Sequence, residues 1–504
     1  MSITGPGSIT AANITAQNNL FNQLNQLSVE LATGQAAQPY AGLGSQAGVA
    51  ASLSSQITAF DGYATTATSV GTTLTLAQSV LTQLGDAGTS VEQAISQQTT
   101  FSLDNTGQTS VQESAASYLD EITSLLNTQA GSNYLFSGEA VTTPSVATSS
   151  DILNGSGTQA GLSQVIAERL QADQGADGLG RLVIPAASGS SVSISEDAAG
   201  SPFGFKLASV SSSLTGATVT GPSGSPASIS VALGSNPNAG DSIAFDLTLP
   251  DGSTQTITLQ ATTASPPGAN QFTIGATASD TASNLQTALS GAVSNLAQTA
   301  LPAASAMAAA NNFFSSDPPQ RVSGPPFDTA TSLVDGTTAN TVFWYTGENG
   351  STPAQDTATA QIGPNMTVSY GMRANEQAIS TLVANVAVLA ATTYSASDPN
   401  AQTSYQALTQ KVTANLDGQP GTQQIQDIEA NLANAQTAVA NAASLNTQTQ
   451  NTLQDMVQGI EGVDQNTVGV EILNLQNSLS ASMSITARLS QLSLVNYLGA
   501  PTAT

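Results

Sequence analysis

Two stretches of this chain, one near each end, repeat apolar residues at alternating spacings of three and four. The first runs from Leu53 to Ile95 and the second from Ile425 to Ile460. A mean spacing of about 3.5 residues is typical of the buried seam of a coiled coil. Both stretches far exceed the ~12 residues of an average globular helix, and long helices need long partners. We therefore predict that the two ends of the chain pair as a long antiparallel coiled-coil bundle.

The residues predicted to form this stalk seam share apolar side chains and the spacing of three and four. They are Leu53, Ile57, Phe60, Leu74, Leu81 and Leu84 in the first stretch and Ile425, Ile428, Leu432, Val439, Leu453 and Met456 in the second. Asn446 also falls on the seam, where a polar residue typically sets the register of the helices. Asn446→Leu is therefore predicted to stabilise the helix pair and to loosen its choice of register.

The middle of the chain has a different composition, with short segments rich in Val, Ile and Thr that are separated by Gly, Pro, Asn and Asp. Alternating apolar residues from Ile243 to Leu249, followed by the turn 250–253, predict a β-hairpin. A helix capped near Ser279 and Asp280 follows and completes an α+β subdomain at about 205–312. Apolar runs at 341–346 and 366–370 predict a second small sheet at about 330–372, and residues 133–138 predict a strand.

The predicted fold is therefore mainly α with a β-rich insertion. Residues 1–140 and 374–504 form the N-terminal and C-terminal helical stalk, a long antiparallel coiled-coil helical bundle made by both termini. Residues 141–373 form a variable outer region that carries the small α+β and β domains. No uninterrupted apolar run approaches the ~18 residues of a membrane span, so we expect no membrane insertion.

Charge and composition exclude several classes of function. The chain has 33 acidic and seven basic residues, a net charge of -26, and no Lys or Arg among its first 168 residues. Nucleic-acid binding requires clustered Lys and Arg, so no nucleic-acid partner is expected. Cys and His are absent, which removes disulfides, Cys/His zinc sites and imidazole bases. We predict no catalytic, cofactor-binding or metal-binding residues, no cofactor, and a protein that is not an enzyme.

Motifs at both ends carry a resemblance to a known family. Residues 471–476 (EILNLQ) and 486–498 (TARLSQLSLVNYL) resemble the C-terminal helix of the bacterial flagellin superfamily. Residues 132–138 (SNYLFSG) resemble the strand motif of its hook-filament junction proteins, known as flagellar hook-associated protein 3. The similarity covers roughly residues 8–140 and 374–498. One departure is the uncharged loop 32–38, where filament flagellins usually carry a basic, polar segment.

The resemblance implies a structural axial subunit of the bacterial flagellum, the organelle of motility. It implies type III export, an extracellular location, and self-assembly into a helical polymer through the terminal helices. The implied partners are further copies of the chain, hook-associated proteins, flagellin and an export chaperone. The residues that the resemblance places at the assembly interface are Leu20, Leu24, Leu27, Leu31, Ile472, Leu475, Leu479, Leu489, Leu492 and Leu498.

Three functions stay open at this point. A role at the hook-filament junction is favoured, because the Ser-Leu-x-Asn-Tyr-Leu ending is closer to junction proteins than to filament flagellins. Filament flagellin itself is the alternative. A second alternative is an adhesive or carbohydrate-binding extracellular surface protein, with a binding module within residues 205–346. Trp344 beside Phe343 and Tyr345 could form a sugar platform there, although packing in a core is the favoured interpretation of this tryptophan.

Overall fold

The chain forms two compact units. The computed structural model describes residues 6–36, 40–418 and 420–498. The terminal unit comprises Met1–Gly71, Ala360–Val368 and Ala438–Thr504, and the central unit comprises Thr72–Thr359 and Ser369–Thr437. The division differs from the predicted domain boundaries near residues 140 and 374, because the central unit joins stalk helices to most of the outer region.

Long helices dominate the two ends of the chain, and the two predicted long helices are confirmed. Among the described helices, none combines the length and low polarity that a membrane span requires. The α-helices are α1 (Pro6–Thr33), α2 (Ala47–Gln97), α3 (Ser110–Leu126), α4 (Ser149–Asn154), α5 (Leu162–Gln174), α6 (Ala278–Ser315), α7 (Gln377–Ala391), α8 (Ala401–Leu416), α9 (Ile425–Glu461) and α10 (Gln465–Leu498).

The strands form several small sheets. They are β1 (Gln129–Ala130), β2 (Asn133–Tyr134), β3 (Leu182–Val183), β4 (Ser191–Glu196), β5 (Lys206–Ser212), β6 (Ala217–Ser223), β7 (Ser228–Leu233), β8 (Ser242–Thr248), β9 (Thr254–Thr262), β10 (Gln271–Thr273), β11 (Gln320–Val322), β12 (Leu333–Asp335), β13 (Thr359–Gly363) and β14 (Met366–Ser369). Two four-stranded sheets have the orders β10-β9-β8-β5 and β3-β4-β7-β6, and the remaining strands pair as β1-β2, β11-β12 and β13-β14.

The α+β subdomain lies in the central unit and has a core of its own. The predicted hairpin is confirmed as β8 and β9, and Gly252 in its turn adopts a φ of 84°, which glycine tolerates. Strand β10 then pairs with β9 in parallel. The subdomain begins earlier than the predicted residue 205, because Leu182, Val192 and Ile194 of β3 and β4 belong to the same buried core.

Helix α6 closes this core on one side. Thr277 caps it rather than Ser279: its side chain accepts a hydrogen bond from the Asp280 backbone amide, and the Asp280 carboxylate accepts one from the Thr277 backbone amide. Leu285, Leu289 and Val293 pack against the sheets. Further along, α6 packs against α5, α7 and α8, so one helix belongs to both the β-rich core and the helical part of the central unit.

Two predicted strands are wrong in extent or type. The strand predicted at 133–138 is limited to β2, which forms a two-residue hairpin with β1 around Gly131 (φ 68°). The segment 341–346 is not a strand. Only Thr341 and Tyr345 form isolated bridges, to Ala160 and Val146. Its apolar residues instead pack on the end of α6, where the indole Nε1 of Trp344 donates to the Phe314 carbonyl at 2.9 Å.

Candidate assembly surface

Helices α1 and α10 pack against each other in the terminal unit and run in opposite directions. The Gln17 Nε2 atom donates to Thr486 Oγ1 at 2.9 Å. Gln35, just beyond α1, forms an antiparallel bridge with Gly462, just before α10. Along this contact the residue numbers on the α10 side fall as those on the α1 side rise, so the two helices are antiparallel.

Local sequence signals fix where these helices end and begin. Gly34 ends α1 with a φ of 70°, and its amide donates to the Glu30 carbonyl at 2.7 Å. Asp464 precedes α10, and its carboxylate accepts from the Asn466 amide at 3.0 Å and from the Thr467 hydroxyl at 2.9 Å. These bonds lower the pKa of the Asp464 carboxyl, the Thr467 bond being the larger cause. Asp464 is therefore a helix cap.

The less exposed positions of α1 and α10 recur at spacings of three and four. On α10 they are Val468, Ile472, Leu475, Leu479, Ser482, Thr486 and Leu489, and on α1 they are Asn13, Gln17, Leu20, Leu24, Leu27 and Glu30. Each helix therefore keeps one stripe turned away from solvent, and most of the predicted assembly residues lie on these stripes.

The predicted assembly residues are placed as follows. Leu479 is buried, whereas Leu20, Leu24, Leu27, Ile472, Leu475 and Leu489 are half-buried. Leu31 is exposed, because Glu30 takes the next position of the stripe. The side chains of Leu492 and Leu498 lie outside the described residues. The structure thus brings most of these residues together within one copy of the chain.

The residues predicted for the stalk seam are divided between the two units. In the terminal unit Leu53, Val439 and Leu453 are buried and Ile57 and Phe60 are half-buried. In the central unit Leu74, Leu81, Leu84, Ile428 and Leu432 are buried and Ile425 is half-buried. Within the central unit α2 and α9 run in opposite directions, since Thr75 bonds Gln436 at 3.2 Å and Thr82 bonds Glu429 at 3.1 Å.

Met456 departs from the predicted seam, with 51 % of its side chain exposed. Val457, four residues after the buried Leu453, is half-buried in its place. A straight α-helix has 3.6 residues per turn, so a strict 3.5-residue pattern drifts away from the inward face. The correct inward residue at this turn is therefore Val457.

Asn446 is a buried seam residue with a backbone partner. Only 2 % of it is exposed, and its Nδ2 atom donates to the carbonyl oxygen of Ile362 in β13 at 2.8 Å. Both residues belong to the terminal unit. The Asn446 side chain therefore donates a hydrogen bond to a buried strand carbonyl. Helix periodicity alone could not indicate this role.

Sequence reasoning missed a second set of apolar residues in the terminal unit. Twelve of the fourteen large apolar side chains that are exposed in the described chain lie in this unit, although it contains less than a third of the residues. On α1 and α10 they are Ile14, Phe21, Val29, Leu31, Val470, Leu473, Met483 and Ile485. The sequence does contain a signal for these exposed residues. They are large and apolar, and they lie off the 3–4 stripe among Ser, Thr, Asn and Gln.

The terminal unit carries little charge. It contains six of the 33 acidic residues and one of the seven basic residues, Arg488, which is exposed on α10. The other six basic residues form ion pairs within the central unit. An apolar surface with so few charges can pack against further copies with little electrostatic repulsion.

The chain was compared with known proteins. Residues 7–140 match the family model of the bacterial flagellin N-terminal helical region. No curated protein matches the chain. The matched segment covers α1 to α3 and the β1-β2 hairpin. Residues 7–140 are thus similar to the N-terminal helical region of bacterial flagellins.

Proposed function

We propose that this protein is a structural subunit of the flagellar axis that assembles through its terminal helices. The observation that carries the proposal is the concentration of exposed apolar side chains on the terminal unit. Contiguous apolar surface on a soluble protein marks an interaction site. The role is structural and not enzymatic, and the partners are copies of the same chain and neighbouring axial proteins. We further propose an export chaperone that covers these helices before assembly.

The half-buried stripes of α1 and α10 support an antiparallel coiled coil in the terminal unit. The bonds between α2 and α9 support a second antiparallel pair within the central unit. In such pairs one stripe packs inside a single copy, and the exposed apolar residues remain available for neighbouring copies. The interface between copies then consists of residues such as Leu473 and Ile485 rather than Leu475 and Leu479.

The position on the axis that we propose is the hook-filament junction. Two sequence motifs support it over the filament: the 132–138 segment and the Ser-Leu-x-Asn-Tyr-Leu ending. Electron microscopy of the purified chain, added to isolated hooks and to filament fragments, tests this choice. A junction protein should add a short, self-limiting segment to the hook. Long filaments grown from the fragments would instead identify the chain as filament flagellin.

A further inference from the structure

The central unit contains a cleft of about 330 Å³ that the assembly role does not use. It opens between the C-terminal end of α6, residues 343–349 and the start of α7. This volume lies at the lower end of the ~300–1,000 Å³ typical of small-molecule sites. The cleft can therefore hold a small ligand.

One wall of the cleft is aromatic in a chain that has few aromatic residues. Only 4 % of the residues are aromatic, and the single Trp of the chain lines this cleft with Phe314, Phe343 and Tyr345. The Phe314 and Trp344 rings lie 5.3 Å apart, and those of Trp344 and Tyr345 lie 6.1 Å apart. Trp344 itself is 3 % exposed, so it supports the wall, whereas Phe343 and Tyr345 are partly open to solvent.

The opposite side of the cleft presents oriented carboxamides. Asn375 Nδ2 donates to Asn349 Oδ1 at 2.9 Å, and Asn349 Nδ2 donates to the Asp317 carboxylate. This chain of bonds orients both amides, and each amide keeps donor and acceptor positions that these bonds do not use. Gln377 adds another exposed amide to the lining, and its Oε1 atom accepts a hydrogen bond from the Gln423 backbone amide at 3.4 Å.

The charge of the cleft narrows the class of ligand. Among the residues that the structure describes around the cleft, none is Lys or Arg, and Asp317 contributes a negative charge. Phosphate and carboxylate ligands are bound mainly by cationic groups, so an anionic ligand is disfavoured here. Aromatic faces accept the apolar C–H faces of a sugar ring, and carboxamides pair with its hydroxyls. We propose that this cleft binds a neutral mono- or disaccharide.

The single tryptophan provides a reporter inside the site. The full chain is titrated with the methyl glycosides of glucose, galactose and N-acetylglucosamine while Trp344 emission is followed. At least one glycoside should give a saturable change with a Kd of about 1 mM, an affinity that is modest for a small polar ligand. Absence of a saturable change with all three glycosides would overturn the proposal.

Variants locate the binding. Asn349→Ala, Asn375→Ala and Gln377→Ala should each weaken the affinity about tenfold, the effect of one lost hydrogen bond of ~1.4 kcal/mol. Asn434→Ala, which removes an exposed carboxamide on α9 outside the cleft, is the matched control and should bind as the parent does. Because Asn349 also bonds Asp317 and Gln377 also bonds the Gln423 amide, far-UV circular dichroism checks that each variant folds as the parent chain does. Unchanged binding by Asn375→Ala and Gln377→Ala would contradict the proposal that the saccharide binds in this cleft. A preference for glucose 6-phosphate over methyl glucoside would contradict a neutral ligand.

Discussion

A single buried amide changes the expected effect of a seam substitution. The helix pattern alone predicts that Asn446→Leu stabilises the chain, but the Asn446 side chain bonds the Ile362 carbonyl in β13. A leucine would leave that carbonyl buried without its partner, so we now predict destabilisation by about 1–3 kcal/mol. Urea unfolding followed by far-UV circular dichroism measures the change.

Asn441→Leu is the matched control for this substitution, because Asn441 lies on the exposed face of the same helix. It should shift the free energy of unfolding by less than about 0.5 kcal/mol. A parent-like or higher stability for Asn446→Leu would show that the Ile362 bond contributes little, and the original prediction would then stand.

An ion pair between α8 and the β8-β9 turn predicts a pH dependence. The Lys411 ammonium donates to Asp251 Oδ2 at 2.5 Å and to Ser253 Oγ at 2.6 Å. Burial raises the pKa of the Asp251 carboxyl, but the bonds from Lys411 and Ser253 and the charge of Lys411 outweigh burial and leave the pKa below 3.8. The folded pKa is thus depressed, so the stabilisation is present above the unfolded pKa and is lost as the pH falls through the folded pKa.

Asp251→Asn should therefore reduce the free energy of unfolding by about 1–3 kcal/mol near neutral pH. The difference from the parent chain should shrink as the pH falls below 3.8, the ordinary value for this carboxyl. Lys411→Met should abolish the same pH dependence. Urea unfolding at a series of pH values measures it, and a difference that stays constant down to acid pH would contradict the assignment.

At the scale of whole elements, the exposed apolar side chains of α10 should act in assembly and not in folding. Leu473 is 60 % exposed, so Leu473→Asp should leave thermal melting almost unchanged. In an interface between copies the same carboxylate would be desolvated at a cost of several kcal/mol. Sedimentation velocity after seeding should therefore show no polymer for Leu473→Asp.

Val334→Asp provides the control for that experiment, since Val334 is 46 % exposed on β12 in the central unit. This variant should assemble as the parent chain does. If Leu473→Asp polymerised normally, or both variants failed equally, the exposed surface of α10 could not be the interface.

The elements that sequence could predict are those specified by local patterns. The 3–4 spacing from Leu53 onward predicts α2, and the alternation before the 250–253 turn predicts the β8-β9 hairpin; both are confirmed. Pairing between distant strands escapes such patterns, so the placement of β4 beside β7 was not predicted. Apolar residues 341–346 misled the strand prediction, because their periodicity reflects packing on α6 rather than pairing in a sheet.

The candidate site was predicted less well than the fold. Periodicity selects residues that face a neighbour, and Leu24, Leu475 and Leu479 do lie on the less exposed stripes. It cannot tell whether that neighbour belongs to the same chain or to another copy. The exposed residues Phe21 and Leu473 lie off the stripe, and their solvent exposure in the folded chain identifies them as a separate set.

For the chain as a whole, we predict that the middle region is not a detachable insertion. The predicted boundaries suggest that residues 145–360 could be replaced by a short linker. The structure predicts otherwise, because α6 lies within that range, packs against α7 and α8, and buries Phe313 and Phe314 near its end. Deletion should expose the almost wholly buried α7 and abolish cooperative thermal melting, as followed by circular dichroism. A deletion variant that melted cooperatively near the parent temperature would show that the helices fold alone.

We propose that the terminal helices join this chain to the flagellar axis. The most direct measurement is electron microscopy of isolated hooks incubated with the full chain or with a chain lacking residues 485–504, which removes Ile485, Arg488 and Leu489 from α10. We predict that the full chain adds density to the hook ends and the truncated chain adds none, although circular dichroism shows the central unit still folded. Equal binding by both chains, or no binding by either, would contradict assembly through the terminal helices.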